Sequence, residues 1–546
     1  MEAAIIVAVL VIGFLYASIS GRNIRKRGMQ NRIRNKYGLE PEIREPIKEL
    51  IRNYHEAVSE TECVDSVTWN DLNMDDVYQR INNCDSSVGE EMLYEMLHDT
   101  NRDAKQETIL EQRINLFDAH EEKRQKVETI LSDQGKDKLS YYTPSYMLSL
   151  KDFGVKNIIF YRVLQILLIL AAATAIILHN YIGIMILVLV FMGNIGVYVV
   201  TVKFRYDEKI QMLGTIVYLL TNAKKLKKEL AGTEMGDKLS ESLACFGRID
   251  KKTFLLQMQA GRSYGDAFET LQDFLLGATM WHIITFDKVM KMLEHHVAEY
   301  MQLYRMVGQI DAAISIGSFR RSLTYYAIPE YTQDKVVSME DIYHPLIAHP
   351  VQNSAVLDKN CIITGSNASG KSTFVKTIAI NVILAQTIHT CSAKSFLLPE
   401  STMITSMAVR DDIISGDSYF IKEIKYLKRI LDAVTAERTV ICVVDEILRG
   451  TNTQERIAAS KAILEYLNGK NCIAMVASHD KELTELSYLD YDNYHFSEKI
   501  GEADVVFDYK LQKGPATSQN AIRLLEITGF PQSVINRANQ IIAENA

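Results

Sequence analysis

What this sequence lacks narrows it first. It has no Cys-x-x-Cys pair, and its seven cysteines (Cys63, Cys84, Cys245, Cys361, Cys391, Cys442 and Cys472) are scattered and odd in number. That pattern reads as reduced packing residues in a cytosolic setting, not as a disulfide framework or a metal site. A His-Glu-x-x-His pattern is also missing, and the adjacent His295 and His296 are expected on different faces of one helix, as surface residues. Excess positive charge is absent too. The net charge of -8 excludes a dedicated nucleic-acid binder, so any DNA contact must come from local patches. Lys224, Lys225, Lys227 and Lys228 form one such patch, which reads equally as a solvated helix face. No low-complexity tract or internal repeat organises the 546 residues, a length that can hold two or three soluble units.

Three short elements carry chemistry. The first is Gly365-Ser366-Asn367-Ala368-Ser369-Gly370-Lys371-Ser372-Thr373, entered from the apolar run Cys361-Ile362-Ile363 and followed by a helical run from Phe374 to Gln386. Glycines at both ends let the backbone N–H groups face a polyphosphate, Lys371 would reach the β/γ-phosphates, and the Ser372 hydroxyl can hold Mg²⁺. The helix N-terminus adds a positive dipole end. An ordinary Gly-Ser turn is the plain alternative. The second element, Thr439 to Glu446, is a buried strand ending in two acids, and the C-terminal edge of such a strand is where ligands bind in open α/β sheets. Asp445 would bind Mg²⁺ through water, and Glu446 would polarise the water that attacks the γ-phosphate. The third strand, Cys472 to Ala477, delivers Ser478 and His479 to the same edge, where His479 is expected to sense the γ-phosphate. Taken alone, His479 would read as a loop histidine.

Together these residues resemble the ATPase domain of the MutS mismatch-repair family, over roughly residues 305–546. The family's GPNMGGKST is matched by Gly365 to Thr373, and its DEIGRGTST by Asp445-Glu446-Ile447-Leu448-Arg449-Gly450-Thr451-Asn452-Thr453. Tyr343-His344-Pro345 is similar to its Arg-His-Pro, and Asp411-Asp412 with Ser418-Tyr419-Phe420-Ile421-Lys422-Glu423 to its DD…STFMVE segment. The resemblance implies an ABC-like, MutS-type α/β P-loop ATPase using ATP and Mg²⁺. It also implies a homodimer in which Ser418 caps a helix and touches the nucleotide held by the other subunit. The tail from Tyr509 through Arg537-Ala538 resembles the family's dimerising end. Leu448 stands where the family has glycine, Asn452 where it has serine, and Gln519-Asn520 where it has Tyr-Gly. None of these removes a catalytic group. The family's mismatch-reading domain, with its Phe-x-Glu wedge, lies hundreds of residues before the core, and the chain has no room for it. Mismatch reading is therefore not expected.

Long apolar runs occupy that space instead. Ala3 to Ser18 is uncharged and a little short of the roughly 20 residues of a spanning helix. Its bases (Arg22, Arg25, Lys26, Arg27, Arg32, Arg34, Lys36) follow it, unlike the leading bases of a signal peptide. Val163 to Leu178 and Ile182 to Val202 read as a transmembrane hairpin, with a buried core hairpin as the alternative. Lys151, Lys156 and Arg162 precede it, and Lys203, Arg205 and Lys209 follow it. By the positive-inside rule all three spans then place the soluble parts in the cytoplasm of a multi-pass cell-membrane protein contacting the lipid bilayer.

The expected organisation is a transmembrane anchor at 1–19, a basic juxtamembrane linker at 20–60 and a helical core part at 61–150. A transmembrane hairpin at 158–202, a helical lever at 203–330 and the ATPase with its dimerisation tail at 331–546 complete it. The all-α core and lever thus precede the α/β domain, with about three transmembrane helices. Two functional classes remain: an ATPase that acts on DNA, or an ATP-driven membrane signalling scaffold or transporter-associated ATPase that does not. Against a transporter, no LSGGQ-like stretch lies between the phosphate loop and Asp445.

Overall fold

Alternation between helical and strand periodicity divides the chain. A computed structural model describes residues 27–42, 48–59, 64–101, 103–150, 154–247, 274, 277–366, 369–407, 419–434, 438–449, 451–486, 488–500, 505–516, 521–527 and 529–545. The expected anchor at 1–19 lies outside these residues. Two compact units result. The first comprises residues 1–60, 82–95 and 112–318, and the second 61–81, 96–111 and 319–546. The segment 61–150 therefore divides between them.

Every element of the first unit is helical among the described residues. Lys48–Val58, Glu121–Gln134, Phe204–Glu229, Trp281–Leu293 and Val297–Ser322 are its main members. They bury Tyr54, Val127, Leu213, Ile216, Leu220, Phe286, Tyr300 and Ile310, apolar positions recurring at three- and four-residue spacing. The stretch read as a linker holds a helix over 27–36 and the helix Lys48–Val58, because Ile33, Ile51 and Tyr54 give it a buried face. Asp311 is buried and accepts hydrogen bonds from the backbone N–H of Asp85 (3.1 Å) and Ser86 (2.8 Å) and from the Ser86 hydroxyl (2.6 Å). Those bonds satisfy donors at the start of helix Ser87–His98. A Cβ on Gly89 would lie 2.2 Å from the Asp311 carboxylate, so only glycine permits this approach.

Ile158–Leu178 and Tyr181–Val197 form the apolar hairpin. The two helices approach closely where a Cβ on Gly183 would come within 2.9 Å of the Ala175 Cα. Asn194 donates to the Leu164 carbonyl at 3.3 Å and to the Ala278 carbonyl at 2.9 Å. By length and composition, two helices among the described residues are long and apolar enough to cross a membrane, with mean hydropathies of 2.1 and 2.4. The expected boundary at 203 is not a break. The second helix runs through a π-helical turn at Tyr198–Lys203 into Phe204–Glu229, 49 residues in all. Lys203 and Arg205 change the composition there, but no proline interrupts the backbone ladder. His295 and His296 do not share a helix: they lie between Leu293 and Val297, with His295 Nδ1 2.7 Å from the Lys291 carbonyl oxygen.

The second unit is built on β-sheet. Its strands are β1 (Glu330–Thr332), β2 (Val337–Ile342), β3 (Asn353–Leu357), β4 (Asn360–Thr364), β5 (Ser395–Pro399), β6 (Ser401–Ser406), β7 (Thr439–Asp445), β8 (Cys472–Ala477), β9 (Tyr491–Ile500) and β10 (Val505–Lys513). A six-stranded sheet has the order β10-β9-β4-β8-β7-β6, parallel except for the β9–β10 pair, and a smaller one the order β1-β5-β2-β3. The near-continuous apolar runs of β4, β7 and β8 are buried on both faces, as parallel strands require. Beside them the helices Lys371–Ile388 and Thr453–Asn468 bury Leu464, Leu467 and nearly every side chain from Phe374 to Ile388. The edge strand β6 is covered by the short helix Ser66–Asp71. There Asp71 accepts from the Met407 N–H (2.9 Å) and the Thr405 hydroxyl (2.8 Å), and Thr68 accepts from the Thr405 N–H (3.2 Å). Those bonds occupy donors that an open edge would expose.

Candidate nucleotide site

The phosphate loop leaves β4 at Thr364 and turns twice on glycines in the left-handed region, Gly365 at φ +147° and Gly370 at φ +105°. A Cβ at Gly365 would meet the Phe496 carbonyl oxygen and Ser369 Oγ at 2.8 Å, and one at Gly370 would meet the Tyr509 ring at 3.0 Å. The Lys371 ammonium lies over the loop, donating to the carbonyls of Gly365 (2.7 Å) and Ser366 (2.9 Å). Burial pulls its pKa down, against the attraction of Asp445, Glu446 and Glu498. Ser369 Oγ is buried with no hydrogen-bond partner among the described residues, and the Ser366 hydroxyl donates to Glu498 at 3.0 Å. Asn367 and Ala368 lie outside the described residues.

Pairing of β7 with β8 sets the acids opposite the histidine. Asp445 is in register with Ala477, and the Glu446 N–H donates to the Ala477 carbonyl at 2.9 Å. The Ser372 hydroxyl donates to Asp445 Oδ2 at 2.8 Å, so the two expected Mg²⁺ ligands already touch. Glu446 turns back at φ +64°. Its carboxylate is held on both sides, with Oε1 3.2 Å from His479 Nε2 and Oε2 2.8 Å from Arg449 Nε. The hydrogen bond from His479, aided by the charges of Arg449 and Lys371, keeps Glu446 below the usual carboxylate range despite half-burial. His479 Nε2 also lies 3.5 Å from Lys371 Nζ. Leu448, where the resembled motif has glycine, takes φ +56° and tucks into the core beside Ile447 and Val444. Burying the leucine side chain offsets a left-handed backbone cost of roughly 1–2 kcal/mol.

Further contacts complete the site that the sequence motifs did not specify. Arg449 bonds the Asp445 carbonyl at 2.8 Å, and its own N–H donates to the buried Glu423 at 3.0 Å. Arg456 forks onto Asp480, the residue after His479. A cleft of about 490 Å³ opens beside the loop, lined by His344, Ile347, His349, Pro350, Thr373 and Tyr509 among others. Burial and nearby Lys376 push the His344 pKa down to about 4, so its ring is neutral at pH 7. Tyr343-His344-Pro345, the phosphate loop and the tail from Tyr509 were the sequence signals for the cleft. Ser418, Asp411, Asp412 and Gly450 lie outside the described residues.

Loop, paired acids and histidine on one parallel-sheet edge define a P-loop ATPase. Residues 361–545 match the family model for MutS domain V, and they carry that ATPase domain. Domains of this kind use ATP and Mg²⁺, and the glycine cradle, the orphaned Ser369 hydroxyl and the Ser372–Asp445 pair fit both. The chain is 29% identical to the DNA mismatch repair protein MutS of Listeria monocytogenes serotype 4b over 272 residues, which cover 47% of this chain and 31% of that protein. It is 28% identical to the protein of that name from Streptococcus mutans over 272 residues, covering 47% and 32%. With the Staphylococcus aureus (strain JH9) protein it shares 26% over 316 residues, covering 55% and 36%. The chain thus spans about a third of the length of the curated relatives it matches.

Proposed function

We propose that this protein hydrolyses ATP at a site shared between two copies and couples that cycle to DNA through its helical unit. The backbone of Gly365, Ser366, Asn367, Ala368, Ser369 and Gly370, with Lys371 and Thr373, grips the triphosphate. Ser372 and Asp445 would hold Mg²⁺, which would supply charge neutralisation at the phosphate oxygens. Glu446 accepts the proton of the attacking water, and His479 reports the γ-phosphate. Ser418 of a second copy closes the site. One observation carries the chemistry: Lys371, His479 and Glu446 form an unbroken chain of contacts at 3.5 and 3.2 Å beside the Ser372–Asp445 pair.

The DNA part rests on the names of the relatives and on exposed bases of helix Phe204–Glu229. Lys227 and Lys228 are exposed, while Lys225 pairs with Asp133 at 3.2 Å, an exposed contact that adds little. Such contacts read phosphate, not sequence. Duplex binding should therefore weaken steeply between 50 and 200 mM salt and favour a single mismatch over matched duplex by no more than about 3-fold. Titrations of matched, mismatched and branched duplexes at both salt concentrations, with ATPase rates read alongside, are the check. Marked mismatch preference would contradict the reading, and no DNA binding or stimulation at all would favour the membrane scaffold.

That second reading has its own observation. Hairpin side chains face outward to a degree that water disfavours: Ile177 is 78% exposed, Ile159 72% and Leu189 64%. We propose that the hairpin lies in a bilayer. The bases Lys156, Arg162, Lys203 and Arg205 are at one end and none is at the His179-Asn180-Tyr181 end. The ATPase domain would then be cytoplasmic. With Cys63 and Cys245 changed to serine, a cysteine at Asn180 should react with an impermeant thiol reagent on intact cells and one at Gln30 should not. Reaction at both positions, or at neither, would reject this topology.

A further inference from the structure

His479 leaves β8 on a short loop, and a loop residue needs an external anchor to keep its ring between Lys371 and Glu446. That anchor is visible on its other side. Arg456 Nε donates to Asp480 Oδ2 at 3.0 Å and Arg456 Nη2 to Asp480 Oδ1 at 2.7 Å, a two-pronged fork occupying both carboxylate oxygens. Both partners are mostly shielded, with side-chain exposures of 24% and 17%. The Asp480 N–H also donates to the Ser478 hydroxyl at 3.1 Å, and the Ser478 N–H to the Ile363 carbonyl of β4 at 3.0 Å. The loop is therefore fixed before and after His479.

Arg456 is fixed too. It stands in the first turn of helix Thr453–Asn468, whose N-cap Asn452 accepts from the Glu455 N–H at 3.0 Å and whose carbonyl accepts from the Arg456 N–H at 2.9 Å. That helix follows in sequence the segment after β7 that carries Glu446 and Arg449. The fork therefore ties the loop after β7 to the loop after β8, the two segments that present Glu446 and His479 to each other at 3.2 Å.

We infer that Arg456 and Asp480 are positioning residues for ATP hydrolysis, acting through His479 to hold it against Glu446 and Lys371. The inference rests on the roles proposed above for His479 and Glu446. A planar guanidinium is required: lysine keeps the charge but delivers it as a point and cannot fix the carboxylate plane. Neither residue makes a hydrogen bond or ion pair with the described residues of the phosphate loop, so nucleotide binding should be spared while the reacting geometry loosens.

The test is a set of variants in two backgrounds, each with nucleotide affinity, kcat and melting temperature measured. In the wild-type background Arg456→Gln, Arg456→Lys and Asp480→Asn should each lower kcat roughly 10- to 100-fold, the scale of a small misplacement of a catalytic group. ATP affinity should stay within about 3-fold. In a His479→Ala background the same changes should lower kcat by less than about 2-fold, because the group they position is gone. Arg456→Lys, which keeps charge and stem, guards against loss of folding. An equal fold-loss in both backgrounds, or parallel losses of affinity and kcat, would assign the fork to stability alone and overturn the inference. Wild-type kcat in Arg456→Gln beside an impaired His479→Ala overturns it while leaving the role of His479 intact. Wild-type turnover by His479→Ala removes that role and the inference together.

Discussion

Glu446→Gln chains are expected to bind ATP with near wild-type affinity and to hydrolyse it about 100- to 10,000-fold more slowly, the usual weight of a positioned general base. Glutamine keeps the volume but only one acceptor, so it can still accept from Arg449 while its amide N–H faces His479, whose ring must then present its unprotonated nitrogen. What it loses is basicity. The native carboxylate is held ionised by the His479 hydrogen bond and the Arg449 charge, and its pKa lies below the ordinary carboxylate range. It stays a base through neutral pH, and the acid limb of kcat should fall only as pH drops through that lowered value. Binding of a fluorescent nucleotide and phosphate release, measured on the same preparation, separate the two effects. Undiminished turnover in this variant would take Glu446 out of the reaction.

Lys371→Ala should act on the other step. The ammonium donates to two loop carbonyls at 2.7 and 2.9 Å from a buried position, ready to exchange them for phosphate oxygens. A charged hydrogen bond of roughly 2–3 kcal/mol corresponds to a loss of about 30- to 150-fold in ATP affinity. Turnover should fall with it. The same variant tests the shared site. Mixed with Ser418→Ala chains, it supplies an intact Ser418 to an intact phosphate loop on the other copy, so one site per mixed dimer should recover. A mixture no more active than the sum of its parts would confine the site to one chain.

How far these residues could be read beforehand follows from the physics of each. The strands β4, β7 and β8 were legible because a parallel strand covered on both faces must be apolar throughout, and the phosphate loop because glycine at both ends has few other uses. The grip of Arg449 on Glu446 was not. It depends on left-handed backbone at Glu446 and Leu448, which neither residue type announces. Nor was the Arg456–Asp480 fork, which joins residues 24 apart through strand pairing that only the folded sheet supplies. The division of segment 61–150 was hidden for a related reason. Asp71 and Thr68 bond to Thr405 and Met407, more than 330 positions away, and no local periodicity encodes that. At residue 203 charge returns, but the helix has no reason to stop and runs through the boundary that composition marks. The turn holding His295 and His296 was likewise masked by helical spacing on both sides.

The proposed hydrolysis is tested most directly by phosphate release from ATP, with and without Mg²⁺, by the purified wild-type protein. Saturable, Mg²⁺-dependent hydrolysis well above the Lys371→Ala background is the expected result. Release that never exceeds that background, or that proceeds equally well without Mg²⁺, would contradict it.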